Sequence, residues 1–139
     1  MVKITLDSET IKVMALFESI TRANLKDCFM NKERMVFVVQ EGEIGKALGK
    51  KKANLYKIER LLNRKIKIVE FTPNVLQFIV NMLFPLKVAD MREDDGIITI
   101  TGIDTQTKGL IIGARAQNLR NYESIVQKYF PDIKELKVI

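Results

Sequence analysis

A self-similarity at a spacing of 64 residues constrains this chain more than any other feature in it. Sliding the sequence by that distance places Gly45, Gly49, Asn54, Leu55 and Glu59 on Gly109, Gly113, Asn118, Leu119 and Glu123. Apolar pairs follow the same offset: Ala47 and Leu48 lie over Ile111 and Ile112, and Leu61 and Leu62 over Ile125 and Val126. A repeat sets the domain count before any element is assigned. With 139 residues, 47% of them apolar, the chain can build two small units with thin cores that support each other.

Each half reads in the same order. In the first, Asp7 or Ser8 caps a helix that carries Glu9 at the positive end of its dipole and Val13, Leu16, Phe17 and Ile20 on one face. In the second, Thr72 is the cap and Pro73 the first helical residue; Val75, Ile79, Met82 and Leu83 form the apolar face, and Pro85 ends the helix. Two extended segments follow in each half, residues 26 to 30 and 34 to 39, then 86 to 91 and 96 to 101. They are bounded by the turn formers Glu41-Gly42, Asp94-Asp95-Gly96 and Gly102. After a glycine turn, Leu55, Ile58, Leu61 and Leu62 share a helix face, as do Leu119, Tyr122 and Val126. A last strand closes each half: Ile66, Ile68 and Phe71 alternate with polar residues in one, and Ile133, Leu136 and Val138 follow Pro131 in the other. The pattern predicts an α+β protein of two tandem domains, residues 1 to 72 and 73 to 139. No low-complexity linker separates them, which predicts rigid association.

Charge separates the two halves. Residues 1 to 72 hold 15 Lys and Arg against 9 Asp and Glu, whereas residues 73 to 139 hold 8 of each, so the whole net charge of +6 sits in the first half. A polyanionic partner is expected to be held more firmly there. Histidine is absent and Cys28 is the one cysteine, which excludes disulfide frameworks, Cys/His zinc sites and imidazole triads; Cys28 reads as a buried, inert thiol. There is no Walker A loop, no metal-ligand cluster and no nucleophile paired with a base, so neither an enzyme, a cofactor nor a small-molecule substrate is expected. A signal peptide and a membrane-length apolar run are also lacking, which points to a cytoplasmic chain without a membrane partner.

The chemistry belongs to two segments, IGKALGKKKANLYKIE from Ile44 to Glu59 and KGLIIGARAQNLRNYE from Lys108 to Glu123. Each sets a glycine, Gly49 or Gly113, between two short helices, where the turn exposes the amide groups that open the following helix. Such a turn attracts phosphate. Lys50, Lys51 and Lys52 lie on the first turn with Lys46, Lys57, Arg60 and Arg64 around it. On the second, Arg115 stands between Ala114 and Ala116 and is flanked by Lys108 and Arg120, so weaker binding is expected there. Asn54 and Asn118 are placed to cap the helix or orient the loop. Alone, a glycine at a helix junction is often a C-cap and a lysine run a solvated face; the matched pair favours binding.

These segments resemble the KH signature, I-G-x-x-G followed by a helix, and the element order resembles its type II form. Two such domains in succession resemble the archaeal NusA-like family, over nearly the whole chain. The resemblance implies single-stranded RNA binding and a role in transcription elongation and termination; RNA polymerase stays open as a second partner, because the sequence does not contain the polymerase-binding N-terminal domain of the longer bacterial proteins. It implies that Ile44, Gly45, Lys46, Gly49, Lys50, Lys51, Lys52, Asn54 and Lys57 contact RNA in the first domain. In the second, the corresponding set is Lys108, Gly113, Ala114, Arg115, Ala116, Asn118 and Arg120. About four nucleotides would lie in each groove, lined by Ile44, Leu48, Leu55 and the strand from Lys65 to Phe71, with Ile112 and Leu119 opposite. Lys52 and Ala116 stand where the family pattern has its second glycine; helical dihedrals would accept them without strain. The alternative is a scaffold that meets polymerase or a ribosome-assembly partner through loops that no longer hold RNA.

Overall fold

A computed structural model of the chain describes residues 8 to 31 and 34 to 139. They divide into two compact units, one ending at Thr72 and the other running from Pro73 to Ile139. The first contains α1 (Ser8–Thr21), β1 (Leu25–Asn31), β2 (Arg34–Val39), α2 (Ile44–Leu48), α3 (Ala53–Leu62) and β3 (Ile66–Glu70). The second repeats the order as α4 (Val75–Leu83), β4 (Val88–Asp94), β5 (Ile97–Gly102), α5 (Thr105–Ile112), α6 (Gln117–Tyr129) and β6 (Glu135–Val138).

Each unit builds one three-stranded mixed sheet. The first two strands form an antiparallel hairpin and the third joins the middle strand in parallel, in the orders β1-β2-β3 and β4-β5-β6. A parallel neighbour needs a crossover, and the helix pair that carries the glycine loop supplies it. In the second hairpin the turn is Asp95-Gly96, both at positive φ, the conformation a two-residue loop requires. The duplication extends to irregularities: the register slips between Leu25 and Asp27 in β1 and between Val88 and Asp90 in β4.

The middle strand carries each core. In the first unit Phe37 stacks on Phe17 of α1 at 4.4 Å between ring centroids, and Ala23, Cys28, Val39, Ala47, Ile58 and Ile66 complete the buried cluster. Burial, and secondarily the Asp27 carboxylate, push the Cys28 thiol up to about 12, which leaves it protonated and unreactive at neutral pH. In the second unit Ile98 and Ile100 of β5 are buried, as are Phe78 and Ile79 of α4, Ile111 of α5 and Val126 of α6.

Several boundaries depart from the sequence reading. Asn74, not Thr72, caps α4: its side-chain oxygen accepts from the Gln77 N–H at 3.0 Å, while Pro73 precedes the cap and Thr72 is buried. An Asx side chain reaches the first helical turn more readily than threonine. A turn at Phe84, Pro85 and Leu86, closed by the Leu86 N–H on Leu83 O at 2.9 Å, delays β4 until Val88. Leu61 does not join the buried face of α3 but is exposed to solvent. The expected cap Asp7 lies outside the described residues.

Candidate nucleic-acid interface

Gly49 follows α2 with φ 75° and ψ 172°, and Gly113 follows α5 with φ 74° and ψ 173°. Glycine alone occupies this region at low cost. In both loops the chain then turns sharply, with two successive residues in the left-handed region. Lys51 and Lys52 have φ of 53° and 61°, Arg115 and Ala116 have 56° and 60°. The turn closes on itself as the Lys52 N–H donates to Gly49 O at 3.1 Å and the Ala116 N–H to Gly113 O at 3.2 Å. Two loops with different side chains thus share one backbone path.

What holds that path is the repeated asparagine. The amide nitrogen of Asn54 donates to Lys46 O at 3.1 Å, and that of Asn118 to Leu110 O at 3.0 Å, each tying the start of the second helix to the first. The same side chains occupy the space above the glycines: a Cβ on Gly49 would lie 2.8 Å from Asn54 Cγ, and one on Gly113 would lie 2.6 Å from Asn118 Cγ. The repeated glutamate fastens the helix further along. Glu59 accepts the Ile66 N–H at 3.0 Å, and Glu123 accepts the Leu136 N–H at 2.9 Å, so α3 and α6 are latched to the strands that follow them. The repeat revealed both residues, but not these partners, which lie 7 to 13 positions away.

The fourth loop positions correct an expectation. Lys52 and Ala116 are left-handed, not right-handed helical, and for residues with a Cβ that conformation costs about 1 kcal/mol or more each. The Gly–Asn pair holds the turn despite that cost. Ala116→Gly is therefore expected to raise stability by about 0.5 to 1 kcal/mol, whereas the same change inside a helix lowers it; urea denaturation of the two chains measures the difference.

Neither α3 nor α6 has a side-chain cap, in contrast to α4, capped by Asn74, and α5, capped by Asp104. No N-cap side chain meets the positive ends of their dipoles, an environment that favours negative charge. Around the first loop Lys50, Lys51, Lys52 and Lys57 are exposed, and among the described residues none forms an ion pair. Lys46 differs, lying 3.4 Å from Glu43, whose carboxyl is held below its usual range by the Asn24 N–H first and by Lys46 next. Around the second loop Arg115 is exposed, whereas Arg120 is paired with Glu123 at 2.7 Å and the stem of Lys108 packs over Gly102. Gly45 and Gly109 sit within α2 and α5, and a Cβ on either would meet open space, so packing does not require glycine there.

The expected groove residues divide. Ile44 and Leu55 are half-buried and pack against the first core, Leu48 and Ile112 keep partial exposure, and Leu119 is buried and contributes no open surface. On β3, burial and the neighbouring Arg34 charge push the Lys67 amine down to about 8, which still leaves it largely protonated at neutral pH. No group of acidic, cysteine or histidine side chains able to hold a metal occurs among the described residues, and no helix there is long and apolar enough to cross a membrane.

Fold and loops together define an α+β protein with two three-stranded sheets packed with helices, an arrangement consistent with two tandem KH-like domains. No protein-family model matches the chain. Individual proteins do. A Halobacterium salinarum protein named "Probable transcription termination protein NusA" is 30% identical over 137 residues, 97% of this chain and 98% of its own length. A Methanocaldococcus jannaschii protein of the same name is 29% identical over 142 residues, covering 100% of this chain and 77% of the relative. The chain belongs to the archaeal NusA-like family. Among solved structures, the crystal structure of APE1850 superposes with a TM-score of 0.70 at 23% identity over 96% of this chain and 100% of that one, a likeness in fold.

Proposed function

We propose that the chain binds single-stranded RNA through its two glycine loops and acts in the regulation of transcription elongation and termination, as a binder and not an enzyme. The observation that carries this reading is the duplicated loop itself: a strained turn of one shape, at two uncapped helix starts, with cations beside it and no carboxylate within it. Strain kept in both copies marks a backbone held for a purpose. The open glycines at 45 and 109 support it, because they cost helix stability without serving packing and leave room for a close ligand backbone.

In this reading residues 1 to 72 and 73 to 139 are two KH domains of the type II form, supported by the order α-β-β-α-α-β with its parallel third strand. Gly49, Lys50, Lys51 and Lys52 hold phosphate, with Ile44, Gly45, Lys46, Asn54 and Lys57 beside them. Gly113, Ala114, Arg115 and Ala116 do the same in the second domain, with Lys108, Asn118 and Arg120 at the margin. The ion pair on Arg120 leaves Arg115 as the main cation there, which favours weaker binding by that domain. The relatives' names speak of transcription termination and support that role; a cytoplasmic location and a contact with RNA polymerase are parts of the same proposal.

The test is a salt titration of affinity for single-stranded oligonucleotides. If about four loop and near-loop lysines neutralise phosphates, log K falls against log salt with a slope near −3, about −0.7 per phosphate. A slope near zero, or capture of a polymerase subcomplex by a chain with no affinity for RNA, would favour the protein scaffold instead.

A further inference from the structure

We infer that the outward face of α3 extends the first domain's RNA site, carrying nucleotides beyond those held at its loop; this rests on the RNA reading above. Helical geometry puts Tyr56, Lys57 and Arg60 on the side of α3 away from the core residues Leu55, Ile58 and Leu62, with Leu61 exposed at the edge between the two. Tyr56 is 54% exposed and Leu61 57%, and Lys57 and Arg60 are exposed and in no ion pair among the described residues. The one carboxylate of the helix, Glu59, is turned inward onto the Ile66 N–H, so the outward face is wholly cationic and apolar.

The second domain supplies the contrast. The 64-residue offset carries those four positions to Arg120, Asn121, Ser124 and Ile125. There Arg120 is neutralised by Glu123, and Asn121 and Ile125 are each 3% exposed. The same helix face has two of its four positions buried and its one cation paired in one copy, and is open and basic in the other. A merely solvated face mixes acids with bases and has no reason to expose a ring. This one also continues from the lysine turn: at 1.5 Å per residue, Lys57 and Arg60 lie about 7 and 12 Å along the axis from Lys52. Charge and continuity with the loop fit a strand leaving it, with Tyr56 as a platform on which one base stacks.

The probes are fluorescein-labelled oligouridines of about four and about twelve nucleotides, titrated by anisotropy against the full chain. The Tyr56→Ala, Arg60→Glu variant is expected to bind the longer probe about tenfold more weakly, with a salt slope shallower by about 0.7, and the shorter one within about twofold of wild type. Tyr56→Phe, which keeps the ring, should retain wild-type affinity. Unchanged affinity and slope on the longer probe, in a chain whose binding Lys50→Asp, Lys51→Asp removes, would overturn the inference and leave the loop assignment standing. If the wild-type chain binds neither probe, the RNA reading fails and the inference with it.

Discussion

A chain in which Lys50 and Lys51 are both replaced by aspartate is expected to bind single-stranded RNA at least about 100-fold more weakly than wild type, with no fall in melting temperature. Both lysines are exposed and free of ion pairs among the described residues, so folding loses no packing with them. Lys51 sits at φ 53°, a conformation aspartate tolerates better than most residues, which keeps the turn intact. Binding, by contrast, exchanges two attractions for two repulsions beside a helix start that no side chain caps. At roughly 0.7 kcal/mol for each attraction removed and each repulsion introduced, the sum is about 2.8 kcal/mol, or about a hundredfold. Anisotropy with a labelled oligonucleotide and a thermal melt on the same samples separate the two effects. Unchanged affinity would remove the first loop from the site.

Much of the architecture was legible because the repeated identities fall where the backbone needs particular chemistry. Glycine at 49 and 113 takes a conformation other residues avoid, asparagine at 54 and 118 reaches back to a carbonyl, and glutamate at 59 and 123 reaches forward to a strand amide. Each is hard to replace, so each shows through a repeat whose surface has diverged. The handedness of the loop was not legible. Lysine and alanine at the fourth position favour helical dihedrals, and only a clamp formed across eight residues makes them left-handed. The exposure of Leu61 was hidden for a related reason. Its spacing matches the core face, but at 100° per residue it lies on the edge of the apolar stripe, and whether an edge is covered depends on neighbours that periodicity does not name.

The clamp itself yields the largest expected effect on stability. Gly49→Ala should cost about 2 to 4 kcal/mol, because the new Cβ meets two independent obstacles. The first is the backbone: φ of 75° with ψ of 172° is strained for any residue with a Cβ. The second is Asn54, whose Cγ and Nδ2 would both lie 2.8 Å from the added carbon, with its backbone nitrogen at 3.1 Å. Asn54→Ala alone should cost about 1 kcal/mol, the hydrogen bond to Lys46 O. Combined, the two changes should not add. With the asparagine shortened the side-chain overlap disappears, so the double variant is expected to be about 1 to 2 kcal/mol more stable than the sum of the singles predicts. Gly113→Ala with Asn118→Ala should behave alike, since Asn118 Cγ and Nδ2 would lie 2.6 and 2.7 Å away. Urea denaturation followed by far-ultraviolet circular dichroism gives all four corners of each cycle. Additive costs would mean that glycine and asparagine act separately; coupling in both domains would show that one pair of residues, placed twice, shapes the loops on which binding depends.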